Sequence, residues 1–259
     1  MSETAVDAYL ERIGAARPAR PDARSLRELQ LRHLLSVPFE NLSIHLGEPI
    51  VLDERALAEK IVDRRRGGFC YEVNGAFAAL LGSLGYPVTM LAARTSGGDS
   101  IGPPFDHVAL RVEASGPWLV DVGFGRFAHH PLRLDVRTDQ PDPGGTFRIV
   151  EADDGDLDVL KDGVLEYRLE QRPRVLADFG PTSWWHQTSP ASHFTRSLVC
   201  SLLTEAGRVT LSDRLLVHTS GGERSERHLT TDAETLAAYR DHFGIELTRL
   251  PVAPARSDG

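Results

Sequence analysis

The sequence is poor in thiols, in lysine and in long apolar segments. Its 259 residues include 2 cysteines, Cys70 and Cys200, and Lys60 and Lys161 are its only lysines. No apolar run approaches the roughly 20 residues that a membrane-spanning helix needs. The N-terminus MSETAVDAYLERIG carries acids where a signal peptide has a basic start and an apolar stretch. We therefore expect a cytoplasmic protein with no membrane segment and with free thiols rather than a disulfide.

The chain also lacks an excess of positive charge. Its 37 acidic residues outnumber its 29 basic ones, which gives a formal net charge of −8. Proteins that bind nucleic acids concentrate positive charge, so a nucleic-acid partner is not expected. The hydrophobic share of 41% is enough to bury a substantial core. The preference for arginine over lysine indicates a GC-rich, bacterial coding sequence.

Helical periodicity dominates the first third of the chain. Apolar residues recur at helical spacing in two helices between residues 5 and 35, in a short helix over 54–63, and from Tyr71 until Gly85 and Pro87 end the pattern. The first third is therefore expected to be mainly helical.

After Pro87 the pattern changes to short β-rich runs separated by Gly, Pro and Asp, which predict a β-barrel or a strongly bent sheet. Near the end, SHFTRSLVCSLLT is compatible with a helix or a strand, and RVTLSDRLLVHTS predicts a hairpin. TDAETLAAYRDHFGI predicts a capped helix, and APARSDG a frayed terminus. The β-rich runs are VTMLAART, HVALRVE, WLVDVGF, TFRIVEA, LDVLKDG and LEYRLE.

Cys70 lies in a setting that favours reactivity. It follows Gly67 and Gly68 in RRRGGFCYEVN, in the first turn of a predicted helix. The pKa of a thiol falls at a helix N-terminus or beside a cation, and glycines allow a tight turn and the close approach of an acyl group. The alternative is a small buried hydrophobic residue, since most free cysteines are inert. Cys200, in an apolar run, fits that alternative.

A base and an orienting carboxylate can be proposed for Cys70. His107 begins the predicted strand HVALRVE, and Asp121 ends the strand WLVDVGFG, which is expected to pair with it. A cysteine, a histidine and an aspartate can serve as nucleophile, base and orienting group. A single histidine or aspartate such as His107 or Asp121 is more often a structural residue, so the prediction depends on all three residues together. Histidine pairs such as His129 and His130 have no carboxylate or thiolate at ligand spacing, so no metal site is expected.

Six motifs occur in order along nearly the whole chain, and among them RRGGFC followed by DVGFG is specific. They are VPFENLSIH (37–45), RRGGFCYEVN (65–74), DHVALRV (106–112), DVGFG (121–125), SPASHFTRSLVC (189–200) and FGIEL (243–247). With these motifs the sequence strongly resembles the arylamine N-acetyltransferases.

The resemblance implies an α+β fold with a cysteine-protease-like catalytic core. Residues 1–86 are expected to form a helical bundle with the nucleophile, 87–190 a β-barrel with the histidine and aspartate, and 191–259 an α/β lid. The catalytic triad would be Cys70, His107 and Asp121. Substrate contacts are expected from Phe124, Phe39, Phe69 and Gly125. Support of the site is expected from Gly67, Gly68 and an ion pair between Glu40 and Arg66, which occur in two of the motifs. Trp184, Trp185 and His186 either line the cleft or pack in the core.

The activity implied is transfer of an acetyl group from acetyl-CoA, a co-substrate, to an aromatic amine or hydrazine. It would proceed through an acetyl-Cys70 intermediate, with O-acetylation of N-hydroxyarylamines as a second reaction and no tightly bound cofactor. Three alternatives stay open: an amide synthase that closes a polyketide chain onto its aryl amine, a cysteine hydrolase, and a non-catalytic binding protein. The sequence leaves the oligomeric state open between a monomer and a homodimer.

Overall fold

The structure is a computed structural model that describes residues 1–98 and 100–252, so the predicted frayed terminus lies outside the described residues. The N-terminal region is helical, as predicted, with one short strand. Its elements are α1 (Glu3–Arg12), α2 (Ala23–Ser36), β1 (Phe39–Glu40), α3 (Leu42–Leu46), α4 (Glu54–Ala58), which continues into a π-helical turn (Glu59–Asp63), and α5 (Cys70–Ser83).

Helix α5 is the centre of this region. Eleven of its 14 residues are buried, and Phe77, Leu80 and Leu81 are 0% exposed in one apolar cluster with α1 and α2. Each such side chain contributes about 1.5–3 kcal/mol on burial. Helix α2 begins with a capping box, in which the Asp22 carboxylate accepts the N–H of Ser25 at 2.9 Å. The bundle therefore holds the start of α5, where Cys70 lies, in a rigid frame.

Eight antiparallel strands form the large sheet, in the order β5-β4-β3-β2-β9-β8-β7-β6. They are β2 (Val88–Thr95), β3 (His107–Glu113), β4 (Pro117–Val120), β5 (Leu132–Arg133), β6 (Gln140–Asp142), β7 (Gly145–Glu151), β8 (Leu157–Lys161) and β9 (Val164–Arg174). A side chain joins the two edge strands: Gln140 Oε1 accepts the N–H of Arg133 at 2.7 Å, and Gln140 Nε2 donates to the Arg133 carbonyl at 2.9 Å. The amide of Gln140 thereby replaces backbone pairing and brings the edges together, as in a barrel.

The small sheet has the order β1-β10-β11-β12-β13 and combines both ends of the chain. Strand β1 pairs with β10 so that Phe39 lies opposite Ser201 and Glu40 opposite Cys200. The C-terminal strands of this sheet are β10 (Val199–Thr204), β11 (Gly207–Ser212), β12 (Leu215–Ser220) and β13 (Glu223–His228). The helices of this part of the chain are α6 (Gly180–Thr188), α7 (His193–Arg196) and α8 (Asp232–Phe243).

Most predicted elements are confirmed, and six of the helices and strands were not predicted. The ambiguous segment SHFTRSLVCSLLT contains both the short helix α7 and the strand β10, the predicted hairpin is β11–β12, and α8 has the predicted capping box at Thr231. The elements without a prediction are β1, α3, β5, β6, α6 and β13. All six residues of β13, ERSERH, are exposed, so this edge strand has no alternation of apolar and polar residues. No helix in the described part of the chain is long and apolar enough to cross a membrane.

Candidate active site

The loop before Cys70 packs directly against β1. Gly68 forms a parallel bridge with Phe39, and the N–H of Glu40 donates to the Gly68 carbonyl at 3.0 Å. A Cβ on Gly67 would lie 1.8 Å from the carbonyl oxygen of Pro38, and one on Gly68 would lie 2.6 Å from the Cβ of Glu72. These contacts correct our explanation of the two glycines: the room they leave is filled by the protein's own chain rather than kept for an acyl group.

Two buried ion pairs hold this loop, one on each side of the glycines. Arg66 Nη2 lies 2.9 Å from Glu40 Oε1, as predicted from the motifs, and Lys60 Nζ lies 2.5 Å from Glu72 Oε1. Glu72 Oε2 also accepts the N–H of Phe69 at 3.2 Å. Burial raises the pKa of Glu40, but the charges of Lys60 and Arg66 and a backbone N–H outweigh it, so the pKa lies below its usual value. The loop is thus fixed by charged groups that have partners.

His107 and Asp121 form a buried pair on the large sheet. His107 begins β3, and Asp121 directly follows β4, which pairs with β3 as predicted. The distance from His107 Nε2 to Asp121 Oδ2 is 2.7 Å, and the side chains are 2% and 0% exposed. The other carboxylate oxygen of Asp121 accepts the N–H of Gly123 and the side-chain amide of Asn74, both at 2.9 Å. Asp121 is therefore fixed by donors on three sides.

Asn74 joins α5, the helix of Cys70, to this pair. The register of β3 and β4 would place Val108 opposite Val122 if the ladder continued. Instead, the Asn74 amide lies between them: Nδ2 donates to the Val108 carbonyl at 2.7 Å, and Oδ1 accepts the N–H of Val122 at 2.9 Å. Asn74 is four residues after Cys70 and so lies on the same face of α5. The sequence analysis assigned it no role, although this spacing could have indicated one.

The sulfur of Cys70 lies where the two strands separate. In an antiparallel ladder the N–H and C=O of one residue point to the same side, so the N–H of Val108 points towards α5, as its carbonyl does. This N–H and that of Tyr71 donate to the sulfur. The backbone of Gly123 also packs closely against Cys70, since a Cβ on Gly123 would lie 2.8 Å from the Cα of Cys70. Cys70 is 3% exposed.

The electrostatics of this thiol differ from our expectation. Burial raises the pKa of Cys70 well above its ordinary value, and the negative charges of Asp106 and Asp121 raise it further. The two N–H groups oppose this shift only in part. The prediction of a lowered thiol pKa is therefore wrong: the helix N-terminus favours the thiolate, but burial and the carboxylates outweigh it. Near neutral pH a thiolate forms here if another group inside the site takes its proton.

The aromatic residues predicted to contact substrate occupy different positions. Phe124 is half-buried, and its ring centre lies 5.2 Å from that of His107. Gly125 follows in a left-handed conformation with φ +81° and has no atom within 4 Å of a Cβ placed on it. Phe39 is half-buried, with its ring 6.2 Å from Phe194. Phe69 is 0% exposed, which indicates packing beneath the site.

The remaining candidates lie in the core or at the surface. Trp184 is 66% exposed, whereas His186 is 5% exposed and lies beside Asp106. His130 Nδ1 lies 2.9 Å from an oxygen of Asp142. Cys200 is 0% exposed in β10, and burial raises the pKa of its thiol, which fits an inert residue.

With a cysteine at a helix N-terminus and an imidazole–carboxylate pair on the adjoining sheet, the fold is that of acyltransferases with a cysteine-protease-like core. Sequence comparison narrows this class, because residues 22–252 match the N-acetyltransferase family. The chain belongs to the arylamine N-acetyltransferase family.

The relatives and solved structures that resemble it agree. The arylamine N-acetyltransferase of Mycolicibacterium smegmatis is 37% identical over 255 residues, covering 92% of this chain and 91% of the relative. A Salmonella typhimurium relative named arylamine N-acetyltransferase / N-hydroxyarylamine O-acetyltransferase is 33% identical, covering 92% and 88%. The structure of the Mycobacterium marinum arylamine N-acetyltransferase superposes with a TM-score of 0.85 at 34% identity, covering 93% and 92%. The same enzyme in complex with CoA gives 0.84 at 33% identity, with the same coverage.

Proposed function

We propose that Cys70 takes an acetyl group from acetyl-CoA and passes it to the nitrogen of an aromatic amine or hydrazine. The observation that carries this proposal is the cluster in which α5 holds Cys70 beside the His107–Asp121 pair, where Asp121 accepts from His107 at 2.7 Å. The names of the relatives support the same reaction, and one related structure contains CoA. Free thiols persist in the cytoplasm, which fits a cytoplasmic site of action.

The geometry supports a ping-pong mechanism. Because Asp121 accepts from Nε2 of His107, Nδ1 is the nitrogen that takes the proton of Cys70. The Cys70 thiolate attacks the thioester carbonyl, the bond from that carbonyl to the CoA sulfur breaks, and CoA leaves with the proton from His107. In the second half, the amine attacks acetyl-Cys70, His107 removes a proton from the nitrogen, and the thiolate leaves. The N–H of Cys70, in the unpaired first turn of α5, is the first donor to the oxyanion.

The acceptor class follows from amine chemistry and from Phe124. Aromatic amines and hydrazines are largely unprotonated at pH 7, whereas alkyl amines, like lysine with a pKa of about 10.4, are charged and poor nucleophiles. The half-buried ring of Phe124 beside His107 offers a flat apolar surface for an aromatic acceptor. A hydroxyl on the same nitrogen can take the acetyl group instead, so O-acetylation of N-hydroxyarylamines is the expected second reaction, as the name of the Salmonella relative states for that protein.

The test separates the nucleophile from other thiols. After incubation with acetyl-CoA, mass spectrometry should show one added acetyl group on the wild type, none on Cys70→Ser, and one on the control Cys200→Ala. The serine variant fails because its hydroxyl has no comparable ionised form near neutral pH. Persistent labelling of Cys70→Ser would refute the assignment of the nucleophile.

Steady-state rates with different acceptors distinguish the reaction classes. We expect transfer to an aniline and to an aryl hydrazide to exceed both hydrolysis and transfer to an alkyl amine by at least about tenfold, which needs only about 1.4 kcal/mol in the barrier. Release of CoA at one rate with every acceptor and with water alone would indicate a hydrolase. Acetylation of Cys70 without transfer to any small amine would indicate an amide synthase.

A further inference from the structure

A second carboxylate–imidazole pair lies beside Cys70, and the mechanism above does not use it. Asp106, directly before His107, has its Oδ1 3.1 Å from Nε2 of His186 on α6. The two residues are 9% and 5% exposed. They are 80 positions apart in sequence and connect the large sheet to the segment that contains α6 and α7.

Hydrogen bonds fix both members of this pair. The second oxygen of Asp106 accepts from the hydroxyl and the N–H of Thr95, at the end of β2. On the other side, Nδ1 of His186 lies 3.2 Å from Oγ of Ser192, and that oxygen accepts the N–H of Phe194 at 3.1 Å, which caps α7. The Ser192 hydroxyl can donate to Nδ1 of His186. In that tautomer Nε2 carries a proton and lies 3.1 Å from Asp106 Oδ1, at ion-pair distance but not aligned as a hydrogen bond.

The pair is close enough to influence Cys70. Among charged neighbours, Asp106 contributes most to raising the pKa of the thiol, ahead of Asp121. Burial raises the pKa of Asp106 itself, but the donors His186 and Thr95 outweigh it, so Asp106 stays a carboxylate at neutral pH. Tyr71, next to Cys70, donates its hydroxyl to the carbonyls of Phe105 at 2.7 Å and Asp106 at 3.1 Å.

His186 also packs against the residues that flank Cys70. Its ring centre lies 6.5 Å from Phe69, 6.0 Å from Tyr71 and 5.2 Å from Phe194. The titratable groups that act on the thiol are Asp106, Asp121 after β4 and Tyr71 on α5, and the partners of Asp106 are Thr95 and His186. The proposed mechanism adds His107 on β3 to this set.

We propose that Asp106 and His186 are positioning residues that tune the nucleophilicity of Cys70 and hold α6 and α7 against it. The inference rests on Cys70 being the nucleophile of the proposed function. A thiolate is a stronger nucleophile when its conjugate thiol is a weaker acid, with a Brønsted coefficient of about 0.4–0.5. The helix N-terminus and the protonated His107 both stabilise the thiolate of Cys70. The negative charge of Asp106 acts against them and so keeps the intrinsic nucleophilicity of that thiolate high. His186 keeps Asp106 charged.

The test is the pH dependence of alkylation of Cys70 by iodoacetamide, in a Cys200→Ala background that leaves one thiol. In Asp106→Asn, loss of the charge should move the acidic midpoint of the profile down by about one pH unit. The plateau rate constant should fall by about threefold for a shift of that size. His186→Phe keeps an aromatic ring but removes the donor, so Asp106 takes up a proton and the midpoint should move in the same direction. His186→Gln keeps an N–H donor and should retain the wild-type midpoint.

The outcomes separate tuning from a merely structural role. An unchanged or raised midpoint in Asp106→Asn overturns the inference, as does a shift in His186→Gln equal to that in His186→Phe. Circular dichroism and thermal unfolding establish that each variant folds, and the nearly isosteric Asp106→Asn tests the inference even if His186→Phe does not fold. Alkylation needs neither acetyl-CoA nor an amine. Failure of acetyl transfer with the midpoint shifts present therefore refutes the proposed function alone, and normal transfer with no shift refutes this inference alone.

Discussion

The groups around the thiol of Cys70 act on it in opposite directions. Burial and the carboxylates of Asp106 and Asp121 raise its pKa, whereas the N–H groups of Val108 and Tyr71 lower it. A buried thiol in this setting does not lose its proton to solvent near neutral pH. In the proposed mechanism, transfer of the proton to His107 avoids that cost, because the thiolate forms together with a positively charged imidazolium.

Replacement of His107 should therefore change the shape of the alkylation profile of Cys70. In the wild type, internal proton transfer gives a thiolate fraction that is nearly constant across neutral pH, so the rate should form a plateau. In His107→Gln the thiol must ionise alone, and its raised pKa should delay alkylation to pH values above the ordinary thiol pKa of about 8.5. Iodoacetamide kinetics from pH 5 to 10 measure both. Superimposable profiles would contradict the role of His107.

Helix α5 contributes two residues to the site, Cys70 in its first turn and Asn74 one turn later. The Asn74 amide separates the ends of β3 and β4 by bonding to Val108 and Val122, and it also donates to Asp121. A helix residue thus takes the place of a strand neighbour. The gap between the strands faces the nucleophile.

Asn74→Ala should lower both the stability and the activity of the protein. The variant leaves the Val108 carbonyl and the Val122 N–H without this partner and removes a donor from Asp121, at about 1–3 kcal/mol for each unsatisfied buried group. Gln140→Ala is the matched control, since Gln140 bridges two strands of the same sheet with its amide, at the edge where β5 and β6 meet. We expect kcat to fall at least about tenfold in Asn74→Ala, or about 1.4 kcal/mol, and to stay near wild type in Gln140→Ala. An equal loss of kcat in both variants would show that Asn74 stabilises the fold and has no specific role in the site.

The pattern of residues within one segment predicts those helices and strands whose formation does not depend on a particular neighbouring strand. Apolar periodicity predicted α1, α2 and α5, and β-rich runs with turn residues predicted most of the large sheet. Strand β1 has only two residues, and β13 reads ERSERH, so their pairing partners alone make them strands. Such tertiary effects are absent from a single segment.

The same limit applies to the site. Sequence motifs placed Cys70, His107 and Asp121 on the elements where the structure has them, and the Glu40–Arg66 ion pair is present. The contact between Asp106 and His186 joins residues 80 positions apart and has no local pattern. The raised pKa of the thiol depends on burial and on Asp106 together, and neither can be read from the motif around Cys70.

At the scale of the whole molecule, the helical bundle contains a buried histidine that makes stability depend on pH. His33 on α2 is 0% exposed, and its Nε2 lies 3.0 Å from the hydroxyl of Tyr9 on α1. Burial, with help from the charge of Arg12, lowers its pKa from 6.5 to about 3. Between these values the unfolded chain binds a proton at this residue and the folded chain does not. Its contribution to stability is therefore complete above about pH 6.5 and is lost as the pH falls.

Urea unfolding between pH 7 and 5 measures this effect. Below pH 6.5 the wild type should lose up to about 1.4 kcal/mol of unfolding free energy per pH unit through His33. His33→Gln should lack this part of the slope, whatever its absolute stability, while His228→Gln, at an exposed position on β13, should keep it. Parallel slopes in the wild type and His33→Gln would show that His33 is protonated in the folded state.

The two-residue strand β1 has a consequence for the order in which the chain matures on the ribosome. Glu40 is synthesised early, yet its neighbour in the small sheet is Cys200, so β1 finds its partner only after more than 150 further residues have emerged. Until then Glu40 and Arg66 lack the sheet that fixes β1, and the loop before Cys70 packs on β1. Contacts of such long sequence separation form late in folding. A nascent or truncated chain that lacks β10 therefore has α5 but not the frame that aligns its first turn, and we expect acyl transfer only after β10 has joined β1.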